Sequence, residues 1–293
     1  MSPFVQFVKI SLTNEESFNR IATSANDVVH HLGAQQDLPL TTKAQGVELY
    51  WSAIYVSTKN ILRFMCERRL RKLVYFGTDY VYGYSESTPR AENHPRRPLG
   101  DYGRAAYRAE ELCGSYRERG MFITIFRPCL LFQMKSFTLL SQVYSWIDRS
   151  MPIPVFGSGR STYQFLSLRD CASAALCAID AKMPNENYNL GSHSPLPLED
   201  HLQLLIKQAR SRSTLFRVPE RIMRLLFSSL DKVRKPLMLP ELYLVAGHAQ
   251  ISDCSKARRE LGWLAKDQDK DILVDEYLEY RIRTINSLYR PRY

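Results

Sequence analysis

Cysteine and histidine are the residue types of this chain that could most readily bind a metal ion or form a disulfide. The six cysteines form no CxxC pair; they are Cys66, Cys113, Cys129, Cys171, Cys177 and Cys254. His30 and His31 are adjacent, but no second cluster of Cys or His lies at ligand spacing. We therefore expect core thiols in a protein of a reducing compartment, and no metal site.

Two hydroxyl side chains occupy positions where a parallel α/β fold gathers its reactive groups. Thr78 ends the apolar run KLVYFGT, and Tyr102 follows 24 residues later at the start of a helix-period pattern. A phenol can exchange a proton with a hydroxyl or keto oxygen while a second hydroxyl holds the same oxygen. Taken alone, however, Thr78 is a turn hydroxyl and Tyr102 an ordinary aromatic, so the meaning of the pair depends on its surroundings.

Short apolar runs alternate with helix-period patterns in the first two thirds of the chain. The patterns predict strands at 27–32, 72–78, 122–127, 155–156 with 165–168, and 188–190. They predict helices at 51–70, 101–119, about 136–147 and 169–181. This alternation is typical of βαβ units, so it indicates an α/β protein with a parallel sheet.

The pattern changes after about residue 184, where helices predominate between prolines. The predicted helices lie near 198–209, 219–233, 255–261 and 270–286. We therefore divide the chain into a sheet domain at 1–183 and a smaller, mainly helical lobe at 184–293.

Composition restricts the class of protein. The chain has 293 residues, of which 45% are hydrophobic and 24% charged, so it can bury a sizeable core and is not disordered. No apolar run is long enough to span a membrane, and the first residues do not resemble a signal peptide, so we expect a soluble cytoplasmic protein.

The net charge of +10 could attract nucleotide phosphates, nucleic acid or an acidic membrane surface. Net charge alone does not distinguish these three partners. No helix-turn-helix or aromatic and basic platform is visible, so we expect no nucleic-acid partner. We also expect no membrane partner.

Seven segments, taken in order, resemble the NAD(P)-dependent epimerase/dehydratase family, the extended short-chain dehydrogenases/reductases. They are DVVHHLGA at 27–34, KLVYFGTDYVYG at 72–83, YGR at 102–104, RP at 127–128, VFGSG at 155–159 with FLSLRD at 165–170, YNLGS at 188–192, and DCSKA at 253–257 with LGW at 261–263. The resemblance covers nearly the whole chain. It implies an N-terminally incomplete Rossmann-type doubly wound parallel sheet, a mainly helical substrate lobe, and NAD or NADP as cofactor.

The resemblance also implies roles for individual residues. In the family a tyrosine hydroxyl exchanges a proton with the substrate, a Ser/Thr hydroxyl holds the same oxygen, and hydride moves to or from the nicotinamide. Tyr102 and Thr78 match these catalytic positions. The expected cofactor-binding residues are Gly33, Ala34, Tyr102, Arg127 and Pro128.

Substrate binding is expected at Arg160 and Tyr163. In many nucleotide-sugar epimerases of the family an arginine clamps the substrate diphosphate, and Tyr163 aligns with that position. Arg160 lies three residues away and could replace the missing cation. The implied substrate is therefore a nucleotide sugar.

Two polar positions of the family pattern are apolar in this chain. The family's lysine lies four residues after the tyrosine, where it lowers the pKa of the tyrosine and holds the nicotinamide ribose. This chain has Ala106 there, and Arg104 and Arg108 point elsewhere on the helix. Ile54 takes the place of the family's active-site asparagine. We therefore expect weak general-base power and weak NAD(P) binding.

The amino-terminal sequence does not contain the family's glycine-rich GxxGxxG turn. Residues 4–12 resemble the family's third strand, with Ser11 in place of an adenine-binding aspartate. Roughly the first 55 residues of the usual fold would then be lacking. A truncated gene, a misassigned start and a degenerate paralogue are all compatible with this pattern. The segment at 4–12 would then either lie apart beside strand 27–32 or move next to it and pair with it; without pairing, strand 27–32 becomes an exposed hydrophobic edge.

Three functions follow from these observations. The first is NAD(P)-dependent epimerase/dehydratase chemistry on a nucleotide sugar, with doubtful activity, and the second is a 3β-hydroxysteroid dehydrogenase-like enzyme. The third is a non-catalytic truncated paralogue that binds ligands or dimerises. A homodimer through helices 51–70 and 101–119 is also expected, because Trp51, Tyr55, Phe64 and Tyr107 fall partly outside the sheet-facing stripe.

Overall fold

Strands and helices alternate along the chain in a computed structural model that describes residues 5–32, 43–131, 138–232, 240–245 and 247–288. The strands are β1 (Val28–His31), β2 (Lys72–Phe76), β3 (Phe122–Pro128), β4 (Leu130–Leu131), β5 (Ile153–Phe156), β6 (Thr162–Tyr163), β7 (Phe165–Leu166), β8 (Asn187–Leu190), β9 (Leu196–Pro197) and β10 (Leu215–Val218). The α-helices are α1 (Lys43–Tyr50), α2 (Ser57–Glu67), α3 (Asp101–Arg117), α4 (Thr138–Asp148), α5 (Leu168–Asp180), α6 (Leu198–Gln208), α7 (Glu220–Lys232), α8 (Pro240–Leu244), α9 (Ser255–Leu261) and α10 (Asp269–Leu288).

The main sheet has four strands in the order β1-β2-β3-β8, and each neighbouring pair is parallel. Leu73, Val74, Ile123 and Ile125 of the two central strands are at most 1% exposed, because helices cover both faces of this sheet. Helices α2 and α3 contribute to the core on one face, and α5 contributes to the core on the other. The expected α/β class with a parallel, Rossmann-type sheet is confirmed.

The strand expected at 4–12 is wrong for the residues described, 5–12, which form no strand. Val5 and Phe7 are 61% and 76% exposed, whereas Ile10 and Leu12 pack against the core without joining the sheet. The segment ends in a turn, in which the Asn14 amide donates a hydrogen bond to the Ser11 carbonyl at 3.2 Å. Among the described residues, β1 is therefore an edge strand.

The helix expected at 51–70 begins earlier and contains a π-helical segment. Helix α1 runs into a π segment at Trp51–Val56 and then into α2. Within this segment Ile54 is 1% exposed, and the Thr58 hydroxyl donates to the Ile54 carbonyl at 2.6 Å. The residue at the family's asparagine position is thus part of the apolar core.

Two aromatics assigned to a dimer face have partners within the chain. The Phe64 ring lies 5.2 Å from the Phe18 ring and is 8% exposed, so it belongs to the core. The Arg96 guanidinium lies 4.7 Å from the centre of the Tyr107 ring. The homodimer stays a prediction.

The lobe is built on small strand pairs and packed helices. Strand β10 pairs in parallel with β5, and β9 pairs in antiparallel with β6. Helices α4, α6 and α10 share one apolar core. Since β5 precedes residue 184 and β10 follows it, the lobe draws on both sides of the expected boundary, which stays a prediction.

Neither a membrane-spanning helix nor a metal-ligand cluster occurs in the part of the chain that the structure describes. The six cysteines are free thiols. Burial raises the pKa of Cys113 and of Cys171 to about 12, so these thiols are protonated at neutral pH.

Candidate functional site

Thr78 lies just beyond the carboxyl end of β2 and is 3% exposed. Its hydroxyl oxygen accepts a hydrogen bond from the Tyr80 amide at 3.3 Å. This bond caps a short 3-10 helix at Asp79–Val81, as expected of a hydroxyl at the start of a helix. The hydroxyl therefore has a structural role in the turn that follows the strand.

Tyr102 is the second residue of α3 and is 2% exposed. Its ring meets the rings of Tyr50 and Tyr80 edge to face, with centroids 5.7 Å and 5.9 Å away. A Cβ atom at Gly103 would lie 2.8 Å from the Tyr80 carbonyl oxygen, so only glycine lets α3 begin this close to the turn. Tyr80 thus joins the two expected catalytic residues, since Thr78 caps its amide and Tyr102 contacts its ring.

Ala106 lies one helical turn after Tyr102 and is fully buried. The neighbouring cations lie on the exposed side of α3, where Arg104 pairs with Asp101 at 3.2 Å and Arg108 pairs with Glu111 at 2.7 Å. These two arginines do not take the place of the family's lysine, as the sequence predicts. A methyl group occupies the position that the lysine stem would need.

Glu241 is a site residue that the sequence did not reveal. Its side chain reaches from α8 to the start of α3, where Oε1 accepts a hydrogen bond from the Gly103 amide at 3.1 Å. The residue is 2% exposed, and burial raises the pKa of its carboxyl group although the nearby amides lower it. Only the pair of glycines around Tyr102, Gly100 and Gly103, could have signalled a close approach.

Phenol and carboxyl groups from the turn after β2 and from α3, β6 and α8 lie near Tyr80. The pKa of Tyr80 lies well above its usual value because of burial, and the nearby Asp79, Tyr102, Glu241 and Tyr163 raise it further. Each of these groups therefore lies in the neighbourhood of Tyr80 and disfavours a negative charge on it. The structure thus gathers Thr78, Tyr80, Tyr102, Tyr163 and Glu241 between the end of β2 and the lobe.

The two expected substrate residues differ in their placement. Tyr163 lies in β6, where it pairs with Leu196 of β9 and forms a bridge to Gln250. Arg160 is exposed in the turn after β5, and its amide donates to the Ser158 hydroxyl at 3.2 Å. Of the two residues, only Tyr163 has an interaction that links it to the Tyr102 cluster.

Arg127 makes contacts inside the chain with every nitrogen of its guanidinium. Nε and Nη2 donate to the Glu110 carboxylate at 2.9 Å and 2.7 Å, and Nη1 donates to the Tyr82 hydroxyl at 2.8 Å. Both members of the ion pair have side chains 1% exposed. Because Arg127 is 1% exposed, a cofactor could reach it only if the covering residues moved. Pro128 follows it and ends β3.

A second buried arginine ties the turn after β2 to the lobe. Arg90 Nη2 lies 2.6 Å from Asp79 Oδ2, and Nη1 donates to the Gln250 side chain at 2.9 Å. Burial raises the pKa of Asp79, although the charge of Arg90 lowers it in part. Sequence reasoning missed this contact, because it joins residues that are 160 positions apart.

The described residues near Tyr102 do not form an open cradle for a nicotinamide. Thr78, Tyr102, Ala106 and Glu241 are each at most 3% exposed. Moreover, the ribose-binding lysine of the family is absent at Ala106. The expected contacts at Gly33 and Ala34 lie outside the described residues. We therefore derive no chemical step that passes through this cofactor.

Comparison with known proteins finds relatives that match most of the chain. It is 29% identical over 280 residues to uncharacterized protein y4nG of Sinorhizobium fredii, covering 95% of this chain and 69% of that protein. It is 28% identical over 197 residues to dTDP-D-glucose 4,6-dehydratase of Homo sapiens, covering 65% of this chain and 56% of the relative. The chain therefore spans little more than half the length of the human protein.

A solved structure has the same fold. UDP-glucuronic acid 4-epimerase from Bacillus cereus, in complex with UDP-glucuronic acid and NAD, matches with a TM-score of 0.73 at 21% identity. The match covers 95% of this chain and 82% of the epimerase. A family model also matches residues 2–191, more than half of the chain. Together with the parallel sheet and the strand-end threonine and helix-start tyrosine, these matches show that the chain belongs to the NAD dependent epimerase/dehydratase family.

Proposed function

We propose that this chain binds a nucleotide sugar and that its own NAD(P)-dependent turnover is at or near background. Ala106 carries this proposal, because the buried methyl group offers neither a charge to Tyr102 nor a donor to a ribose. General acid and base catalysis by a tyrosine requires a group that brings its pKa towards the working pH. The Glu241 carboxyl, which accepts a hydrogen bond from the Gly103 amide beside Tyr102, supplies no positive charge there either.

The substrate class follows from the family and its relatives. The human relative acts on dTDP-glucose by name, and the Bacillus cereus enzyme holds UDP-glucuronic acid. In this chain we assign the sugar end of the ligand to Tyr163, which is partly exposed, whereas Tyr102 and Glu241 are buried. The exposed Arg160 is then the candidate partner of the diphosphate, since a guanidinium binds phosphate oxygens with two parallel hydrogen bonds.

The second candidate function is NAD(P)-dependent catalysis by the same site. The meeting of Thr78 and Tyr102 at Tyr80 favours it, because this arrangement keeps both hydroxyl types of the family pattern. It covers the nucleotide-sugar enzymes and the 3β-hydroxysteroid dehydrogenase-like alternative, which share this pair. Such an enzyme would require Tyr102 to become accessible and to act without the lysine.

Calorimetry and a turnover assay separate the two functions. Titration with UDP-sugars and dTDP-sugars should give saturable heat, whereas titration with NAD(H) or NADP(H) should give very weak binding. Mixtures of dinucleotide and nucleotide sugar should give no change in absorbance at 340 nm and no new sugar product. A new sugar product, or cofactor reduction above background, that Tyr102→Phe abolishes would overturn the proposal in favour of catalysis.

Ala106→Lys provides a second test. The lysine supplies the missing cation, but it must enter a fully buried position beside a closed site. We expect turnover to stay at background, because proton transfer has no effect without a held nicotinamide. Glu111→Lys, at an exposed position of the same helix, serves as the control for added charge. A rise in turnover with Ala106→Lys alone would contradict this expectation.

A further inference from the structure

Helix α7 of the lobe is apolar on two faces, and only one of them is covered. Met223 and Phe227 are at most 9% exposed, and the Phe227 ring stacks on Tyr243 of α8 at 5.7 Å. Ile222, Leu225 and Leu226 are 57%, 69% and 49% exposed. Their spacing of three and four residues places them on one side of the helix.

The positive charge of the chain is concentrated in the sequence segment that contains this helix. Residues 201–240 contain nine Lys and Arg against two Asp and Glu, so this segment holds seven of the ten net positive charges. Arg217 and Arg221 are exposed beside the apolar face, just before and at the start of α7. The acidic Glu220 is neutralised by Arg224, whose guanidinium lies 2.6 Å from its carboxylate. Arg217 likewise pairs with Glu199 at 3.0 Å. Each of these two carboxylates is thus matched by an arginine, and Arg221 stays as an exposed cation with no ion pair among the described residues, so the local charge is net positive.

We propose that the α7 surface, defined by Ile222, Leu225, Leu226, Arg217 and Arg221, docks on an anionic lipid bilayer. An interfacial helix buries its apolar side chains at the headgroup boundary, while its cations meet lipid phosphates. Both requirements are met on one side of α7. The segment at 201–240 that contains this face has seven net positive charges, which favours an anionic surface over a neutral partner.

This proposal does not depend on nucleotide-sugar binding. The expectation of no membrane partner rested on the lack of a spanning segment, and a surface contact needs no such segment. The bilayer would contact side chains that have no cover in the described structure. It would not disturb the buried contacts of Met223 and Phe227.

Vesicle flotation tests the proposal with the full chain. We expect it to float with vesicles of phosphatidylcholine and 30 mol% phosphatidylglycerol, and at least tenfold less with phosphatidylcholine alone. The triple variant Ile222→Ser, Leu225→Ser, Leu226→Ser should lower the partition coefficient about tenfold or more. Arg217→Gln with Arg221→Gln should lower it severalfold and weaken its dependence on salt.

A matched variant controls for loss of exposed apolar surface. Leu168, Leu176 and Leu278 are 50%, 62% and 43% exposed on helices α5 and α10, and their joint replacement by Ser should change the partition less than twofold. Thermal melts of each variant monitor folding. Equal binding to both vesicle types, or equal loss in the matched variant, would overturn the proposal. So would self-association that the α7 variant abolishes without any vesicle binding, because the surface would then join two copies of the chain.

Discussion

Two buried pairs of ionisable residues, one beside α3 and one in the lobe, differ in how fully they are hydrogen bonded. Arg127 and Glu110 share several hydrogen bonds, and every nitrogen of Arg127 has an acceptor. In the lobe His201 Nε2 lies 3.7 Å from Asp269 Oδ2, and neither of these atoms has a hydrogen-bond partner within the described part of the chain. The first pair is charged and fixes the packing of the sheet, whereas the second is neutral over much of the pH range.

The pKa values express the same difference. Hydrogen bonds and the charge of Glu110 raise the pKa of Arg127 against the effect of burial. Burial lowers the pKa of His201 to about 4 and raises that of Asp269 to about 7. A buried pair thus keeps its charges only where its partners replace the lost water.

The largest expected effect comes from breaking the fully hydrogen-bonded pair of Arg127 and Glu110. Glu110→Gln removes the charge that compensates Arg127 and should lower the free energy of unfolding by about 3–5 kcal/mol. Urea unfolding monitored by circular dichroism measures this loss. Glu111→Gln is the matched control, because Glu111 pairs with Arg108 on the exposed side of the same helix. The control should stay within about 0.5 kcal/mol of the parent chain. A loss below about 1 kcal/mol for Glu110→Gln would show that Arg127 finds other compensation.

The pair of His201 and Asp269, which is not fully hydrogen bonded, should change how stability depends on pH. With its lowered pKa, His201 makes stability rise between pH 4 and 6.5, because the unfolded chain binds the extra proton there. With its raised pKa, Asp269 makes stability fall between pH 4 and 7, because the folded chain binds the extra proton. The two effects oppose each other in the parent chain.

Single substitutions separate the effects of His201 and Asp269 on stability. Asp269→Asn should leave stability rising from pH 4 to 6.5, and His201→Gln should leave it falling from pH 4 to 7. Each slope should reach at most about 1.4 kcal/mol per pH unit. Unfolding midpoints at five pH values give the slopes. Slopes of the same sign in both variants would show that the groups do not titrate as assigned.

The smallest effect concerns Glu241, a buried carboxyl that has one clear hydrogen bond. Because burial raises its pKa, its ionisation costs stability progressively as the pH rises above its usual value of 4.5. Glu241→Gln keeps an acceptor for the Gly103 amide and removes the charge, so it should stabilise the chain at pH 8 and make little difference at pH 4. Glu48→Gln, on an exposed position of α1, provides the comparison. A destabilised variant at pH 8 would indicate that the charge itself holds α3.

Local sequence patterns predicted the elements better than the contacts between them. The runs around Val74 and Ile125 are apolar on both faces, as central parallel strands must be, and the structure has both strands. The segment at 4–12 shows a similar run, but an apolar run becomes a strand only where a neighbour pairs with it. The local sequence pattern does not show whether a neighbouring strand is there to pair with this segment.

The site was predictable only in part for the same reason. Thr78 and Tyr102 occupy positions set by a strand end and a helix start, so their proximity to Tyr80 follows from local structure. Glu241 and Arg90 meet their partners across 138 and 160 residues. These contacts depend on how the lobe packs on the sheet. No spacing in the sequence encodes that packing.

The close approach of Glu241 to Gly100 has an evolutionary consequence. A Cβ atom at position 100 would lie 2.3 Å from the Glu241 carboxyl group, although the backbone of Gly100 has a conformation that any residue can adopt. Glycine is therefore favoured there by the side chain at 241 and not by its own dihedral angles, because a larger residue would displace the Glu241 carboxyl group from the Gly103 amide. Positions 100 and 241 should vary together among descendants of this gene, with larger residues at 100 where 241 no longer makes this contact.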